Sequence, residues 1–213
     1  MPKRKLSEGE HPEKFKTSGH WSLGLLKTME DPKFIVQSDN LTTVIKDAYP
    51  KAEFHYLVLP KQNLSNLKEI TKEHITLLEH MDRVAKELIT DHKHKSKTFK
   101  IGYHAEASMF RLHLHVISDD MNSICLKTKK HWNSFNSDFF LKSSDILLDV
   151  KEHGKVILPS KDACKKYMEL PLKCHKCDYK PKKYPRLKKT HFKTFEIKFK
   201  YRLVLLKFGR CLD

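Results

Sequence analysis

The segment Arg111-Leu112-His113-Leu114-His115-Val116-Ile117 constrains this chain more than any other stretch. Strict alternation of aliphatic and polar side chains is the period of a β-strand, whose successive residues face opposite sides of a sheet. Leu112, Leu114 and Val116 are therefore expected in a core, with Arg111, His113 and His115 together on the other face. Two imidazoles and a guanidinium make a poor core and a good anion site. Two ordinary strand histidines are the bland alternative. Two His at i and i+2 can also share a zinc ion, but a third ligand must come from elsewhere and the adjacent Arg opposes a cation. Phosphate chemistry fits best. One neutral imidazole can attack phosphorus while a second steadies the departing group, and imidazoles titrate near neutrality.

A chain of 213 residues holds one sizeable domain, or one domain with a small appendage. Its hydrophobic fraction of 39% excludes wholesale disorder. No apolar run approaches the roughly 20 residues of a membrane span, and the first residues lack an apolar signal core. No membrane partner is expected. Residues 1–18 read as a disordered leader in which Pro2-Lys3-Arg4-Lys5 resembles a nuclear-import patch. Strands are expected over Phe34–Gln37, Leu41–Ile45, His55–Leu59, Thr98–Ala105 and Arg111–Ile117. Leu67, Ile70, His74, Leu77, Met81, Val84 and Leu88 recur at helical spacing, and Asn66 with Glu69 resembles a capping box, predicting one long helix. Residues 125–140 show no regular period, helical character returns near Ser144–Glu152, and Gly154–Ser160 reads as a boundary. The layout is α+β.

Charge is unevenly placed. Residues 161–213 hold 17 of the 42 basic side chains and 5 of the 26 acidic ones, a local charge of +12 against +4 for the rest. A nearly balanced body with a basic C-terminal part points to a globular unit with a polyanion-binding attachment. Five Cys, two of them spaced as Cys174-His175-Lys176-Cys177, fit a reduced compartment and a metal site better than an extracellular disulfide framework.

The histidine strand resembles the signature of the histidine-triad superfamily, His-φ-His-φ-His-φ-φ, with Arg111 in place of the first His. Further residues narrow the resemblance to its DNA-adenylate hydrolases. They are Gly19-His20-Trp21-Ser22, Asp31-Pro32-Lys33, residues 44–52, His55-Tyr56-Leu57-Val58-Leu59-Pro60, Gly102-Tyr103-His104-Ala105, Ser108-Met109, Cys125-Leu126-Lys127 and Lys129-Lys130-His131-Trp132-Asn133-Ser134-Phe135. The match spans about residues 19–177, and the Lys-Lys-His-Trp-Asn-Ser-Phe run is its most specific part.

The resemblance implies a histidine-triad-like antiparallel sheet with helices, followed by a small zinc-finger-like segment. It implies removal of AMP from 5′-adenylated DNA through a covalent histidine–AMP intermediate, in the nucleus, with no cofactor needed for the chemistry. His113 would be the nucleophile, with His115 on the phosphate and His104 beside it. Ser22, Leu25, Ser108, Met109 and Arg111 would surround the nucleotide and its phosphate. Thr28, Lys46, Asp47, Ala48, Tyr49, Pro50 and Lys130 match positions that contact DNA, and His55 reads as a supporting group. A structural zinc is implied at Cys174 and Cys177, with His191 next and Glu196 the nearest candidate for a fourth ligand; His175 would face outward.

The expected divisions are residues 1–18, a catalytic domain over 19–159, a finger-like segment over 160–196, and a basic tail over 197–213 without an assigned role. Lysines from Lys180 to Lys193 would grip phosphates without reading sequence, making binding salt-sensitive. A monomer on DNA is expected, without the forkhead-associated docking domain of longer relatives. Two other readings compete: a general histidine-triad hydrolase of small AMP conjugates, and a DNA-binding protein without catalysis.

Overall fold

Strands buried on both faces build the middle of the molecule. The computed structural model describes residues 24–188. Within them six strands form one sheet in the order β1-β2-β3-β5-β4-β6, each pair antiparallel. They are β1 (Ile35–Ser38), β2 (Thr42–Lys46), β3 (His55–Pro60), β4 (Phe99–His104), β5 (Leu114–Ser118) and β6 (Phe140–Lys142). The helices are α1 (Gly24–Glu30), α2 (Ile75–Ile89), α3 (Lys129–Asn136), α4 (Ser143–His153) and α5 (Lys161–Glu169). β5 runs between β3 and β4, with His115 opposite Leu57 on one side and Gly102 on the other.

The two faces of β5 meet different cores. Leu112, Leu114 and Val116 pack with Leu78, Met81 and Ala85 of α2 and with Ile146 and Val150 of α4. On the opposite face Ile117 packs with Trp132 and Phe135 of α3 and with Leu172, Cys174, Tyr184 and Leu187. A third cluster sets Leu25 of α1 against Ile45, Leu57 and Leu59. The segment after residue 160 therefore shares a core with the sheet.

Two helical expectations change. The stripe from Leu67 to Leu88 is buried as anticipated apart from the half-buried His74, but it is not one helix. Asn66 accepts the Lys68 amide over the short turn Leu67–Glu69, while Glu69 accepts the Ser65 amide instead of closing a box on Asn66. Ile70 is extended, Lys72–His74 forms a second turn, and only then does α2 begin. A three-residue turn and an α-helix both return a side chain to the same face after three positions, so spacing alone does not separate them. The aperiodic stretch 125–140 contains α3, capped by the Thr128 side chain on the His131 amide. Its buried face includes Asn133 and Ser134, which masks the apolar period; the Asn133 side-chain amide donates to the Met168 and Leu170 carbonyls.

Gly102 allows β6 to close on β4 beside the histidines. A Cβ there would stand 2.2 Å from the Leu141 carbonyl oxygen and 2.8 Å from a Phe140 ring carbon. Gly102→Ala is expected to destabilise the fold by about 1–3 kcal/mol through overpacking. Thermal unfolding should show a Tm lower by roughly 3–10 °C.

Candidate active site

His113 enters β5 from an unusual backbone. Arg111 has φ +100°, a region that L-residues rarely occupy. The His113 Nδ1–H donates to the Arg111 carbonyl oxygen at 2.7 Å. With the hydrogen on Nδ1, the neutral ring keeps its lone pair at Nε2. Burial lowers the His113 pKa from its ordinary 6.5, while the Arg111 carbonyl and Asp47 oppose the shift. The ring is 7% exposed.

His115 is oriented by a partner sixty residues earlier. The Lys51 amide donates to His55 Nδ1 at 3.2 Å, which places the His55 hydrogen on Nε2. That hydrogen faces His115 Nδ1 at 3.0 Å, so neutral His115 carries its own hydrogen on Nε2. Burial holds the His55 pKa down at about 4, against the pull of Asp47, whose carboxylate lies 3.3 Å from Nδ1. Burial likewise holds His104 and His115 well below 6.5. The His104 and His115 ring centroids are 4.4 Å apart, and Phe135 and Phe140 wall both rings. His104 Nε2 and His115 Nε2 are buried without a hydrogen-bond partner among the described residues. Buried polar atoms without partners are costly unless a ligand satisfies them.

A cleft of about 260 Å³ opens beside this cluster and is lined by His104, Ser108, Met109 and His113, among others. Met109 also packs on the cluster containing Leu25. These sequence-selected residues therefore converge on one region of the sheet. Ser22 lies outside the described residues. Arg111 requires correction: it does not share the face of His113 and His115. Its guanidinium instead donates to the Pro60 and Lys61 carbonyls and to Asn63 Oδ1, because the positive φ breaks the strand alternation before His113.

The residues expected at DNA split. Lys46, Ala48 and Tyr49 are exposed around one turn, and Ser123 Oγ donates to the Pro50 carbonyl at 2.5 Å, tying that turn to the loop after β5. Lys130 is exposed on the first turn of α3. Thr28 is half-buried and bonds the Gly24 carbonyl within α1. Asp47, on the same turn, is half-buried; its carboxylate accepts the Tyr49 amide and lies against His55, which adds it to the groups around the imidazoles. Sequence reasoning gave no separate role to Lys51, whose positive charge disfavours protonation of His55, His104 and His115. Its position four residues before His55 was the available signal. Asp47, His55 and His115 could group around a cation, but His55 and His115 already bond each other.

In the C-terminal segment Cys174 is buried, Cys177 is exposed, and the Lys176 amide donates to Cys174 Sγ at 3.4 Å. A turn whose amide supports a sulfur, with a second thiol three residues on, fits two zinc ligands. His191 and Glu196 lie outside the described residues, as do the leader and the basic tail. His175 corrects the outward expectation: its Nε2–H donates to the Asp119 carbonyl at 2.9 Å, and its ring lies 5.2 Å from Trp132. Lys176 also pairs with Asp119.

The antiparallel sheet, with His55 on β3, His104 on β4, His115 on β5 and His113 just before β5, is the arrangement expected from the histidine-triad resemblance. Residues 20–131 match the family described as scavenger mRNA decapping enzyme C-terminal binding, and residues 136–194 match the C2HE / C2H2 / C2HC zinc-binding finger. The second span includes Cys174, Cys177 and His191 and stops short of Glu196. Aprataxin of Danio rerio is 47% identical over 183 residues, covering 85% of this chain and 56% of that one. Aprataxin of Gallus gallus is 49% identical over 171 residues, covering 80% and 54%. The chain belongs to the aprataxin family and spans about half the length of these curated relatives. The aprataxin ortholog Hnt3, solved in complex with DNA, shares the fold with a TM-score of 0.67 at 22% identity, over 83% of this chain and 98% of that one.

Proposed function

We propose that this protein removes AMP from 5′-adenylated DNA ends through a covalent intermediate on His113. The observation that carries the reading is the His113 Nδ1 bond to the Arg111 carbonyl, which leaves Nε2 unprotonated beside the cleft. Nε2 attacks the phosphorus of the adenylate, a P–N bond forms, and the P–O bond to the DNA 5′-phosphate breaks. The DNA departs as a phosphate monoester. The Nε2–H of His115 donates to the oxygens of the reacting group, and that bond is strong because the Phe135 and Phe140 wall keeps the surroundings apolar. Water then attacks the same phosphorus, the P–N bond breaks, and AMP leaves with His113 neutral again.

Lys46, Tyr49 and Lys130 present the exposed surface for the DNA strand, and Lys182, Lys183 and Arg186 add positive charge in the finger-like segment. A zinc ion held by Cys174 and Cys177, with His191 and Glu196 completing the set, would supply a structural cross-link. A DNA substrate makes the nucleus the proposed site of action. Names of the curated relatives and the DNA complex of Hnt3 support this reading.

The test is to mix the protein with a 5′-adenylated nicked duplex, quench in base and digest. AMP is expected on the peptide containing His113. AMP release with the label on another residue, or with none, overturns the scheme. Comparing turnover with that of a small AMP amidate separates DNA from nucleotide substrates. Because the His113 pKa is lowered, its reactive neutral form persists below the usual range. The acid limb of kcat/KM is therefore expected below pH 6.5, with a flat profile from there to pH 8, as read from initial rates across buffers.

A further inference from the structure

The segment before β5 carries bonds that the deadenylation scheme does not use. Arg111 Nε and Nη2 both donate to the Pro60 carbonyl, at 3.1 and 2.8 Å. Nη2 also donates to the Lys61 carbonyl at 2.7 Å, and Nη1 to Asn63 Oδ1 at 3.1 Å. One residue on, the Leu112 amide donates to the Leu64 carbonyl at 2.7 Å. The segment entering the nucleophile is thus tied to residues 60–64 through both side chain and backbone. At the centre of these ties sits a non-glycine residue at φ +100°. Such a backbone persists only where its surroundings over-determine it.

We propose that the Arg111 side chain is a positioning residue for the nucleophile. By gripping the Pro60 and Lys61 carbonyls and the Asn63 amide, it holds its own carbonyl oxygen on His113 Nδ1. The ring is thereby kept in the form whose Nε2 is free to attack. This inference rests on the reading of His113 as nucleophile. It also gives Arg111 a function that its sequence position, beside two imidazoles, did not indicate.

The chemistry of the side chain supports the assignment. A guanidinium offers five donors in a planar fork and no acceptor, which suits several carbonyl oxygens converging from one turn. A lysine ammonium retains the charge but not the planar geometry. Without the grip, the Arg111 peptide is free to relax away from its positive φ, and Nδ1 loses its acceptor. The His113 hydrogen then exchanges between the two ring nitrogens, and the form carrying it on Nε2 cannot attack phosphorus.

The experiment uses the full chain with 15N-labelled histidine. In the parent protein His113 should show a protonated Nδ1 and an unprotonated Nε2 by long-range 15N–1H correlation. Arg111→Ala and Arg111→Lys are expected to average the two nitrogen shifts. Single-turnover transfer of AMP to His113 should fall about tenfold, with DNA affinity changed less than twofold. Asn63→Ala removes one acceptor and leaves Arg111 in place; a smaller change in the same direction is expected, and this variant decides the matter if those at position 111 do not fold. Unchanged His113 nitrogen shifts in any folded variant overturn the proposal. If the parent protein never acquires AMP on His113, the deadenylation reading falls, while the nitrogen shifts still report on the grip.

Discussion

Replacing His113 by alanine abolishes formation of the AMP adduct and lowers deadenylation of an adenylated nick by about 10⁴-fold, within the range for loss of an activated nucleophile. The argument is geometric. His113 lines the cleft with a free Nε2, whereas His115 Nδ1 is taken by His55, and His104, which lines the same cleft, keeps its Nε2 buried with the ring packed among phenyl groups. Neither neighbour is arranged to replace it. His113→Asn should be as inactive as alanine while retaining the fold, which circular dichroism and thermal unfolding check. A variant that still clears AMP at the parent rate removes His113 from the mechanism.

Trp132→Ala is expected to produce the largest loss of stability. The indole is 2% exposed and sits in the cluster with Ile117, Leu172, Cys174, Tyr184 and Leu187. Its Nε1–H donates to the Lys173 carbonyl at 3.0 Å. Truncating a buried aromatic of this size costs about 3–5 kcal/mol, and an unpaired carbonyl adds to it. Urea unfolding should reveal that loss as a lower midpoint. The cavity falls where α3 meets the turn bearing Cys174, so the C-terminal segment should loosen first. Limited proteolysis after Lys173 or Lys176 would show this as faster cleavage than at sites in α2. Equal protection of the two regions would mean that Trp132 does not join them.

Much of the central sheet was legible because alternation and turn residues are local signals. Ser38-Asp39-Asn40 between two apolar runs marked the β1–β2 turn, where Asp39 accepts the Leu41 and Thr42 amides. The α3 helix was not legible because its buried face carries amide and hydroxyl groups whose partners lie beyond residue 160 or within its own turn. The beginning of α2 was misplaced because Leu67 and Ile70 are buried from short turns as thoroughly as from a helix.

At the site, residue types were readable and their duties only partly so. Selecting His104, Ser108, Met109 and His113 required only the pattern around one strand and a family resemblance. Finding the Asp47 carboxylate beside the imidazoles required knowing that the β2–β3 turn folds it back onto His55. Arg111 shows the same limit from the other direction. A period of two predicts a shared face only while the backbone stays extended, and one positive φ removes the residue from it.

The sequence by itself determined an α+β unit with two histidines on one face of a strand and a basic, cysteine-bearing end, since periodicity, spacing and charge are properties of neighbouring residues. Only the tertiary structure decided which imidazole nitrogen carries the proton and where the charged groups point. Those outcomes depend on burial and on partners such as His55 and the Lys51 amide, which lie far from His115 along the chain and meet it only once β3 and β5 pair.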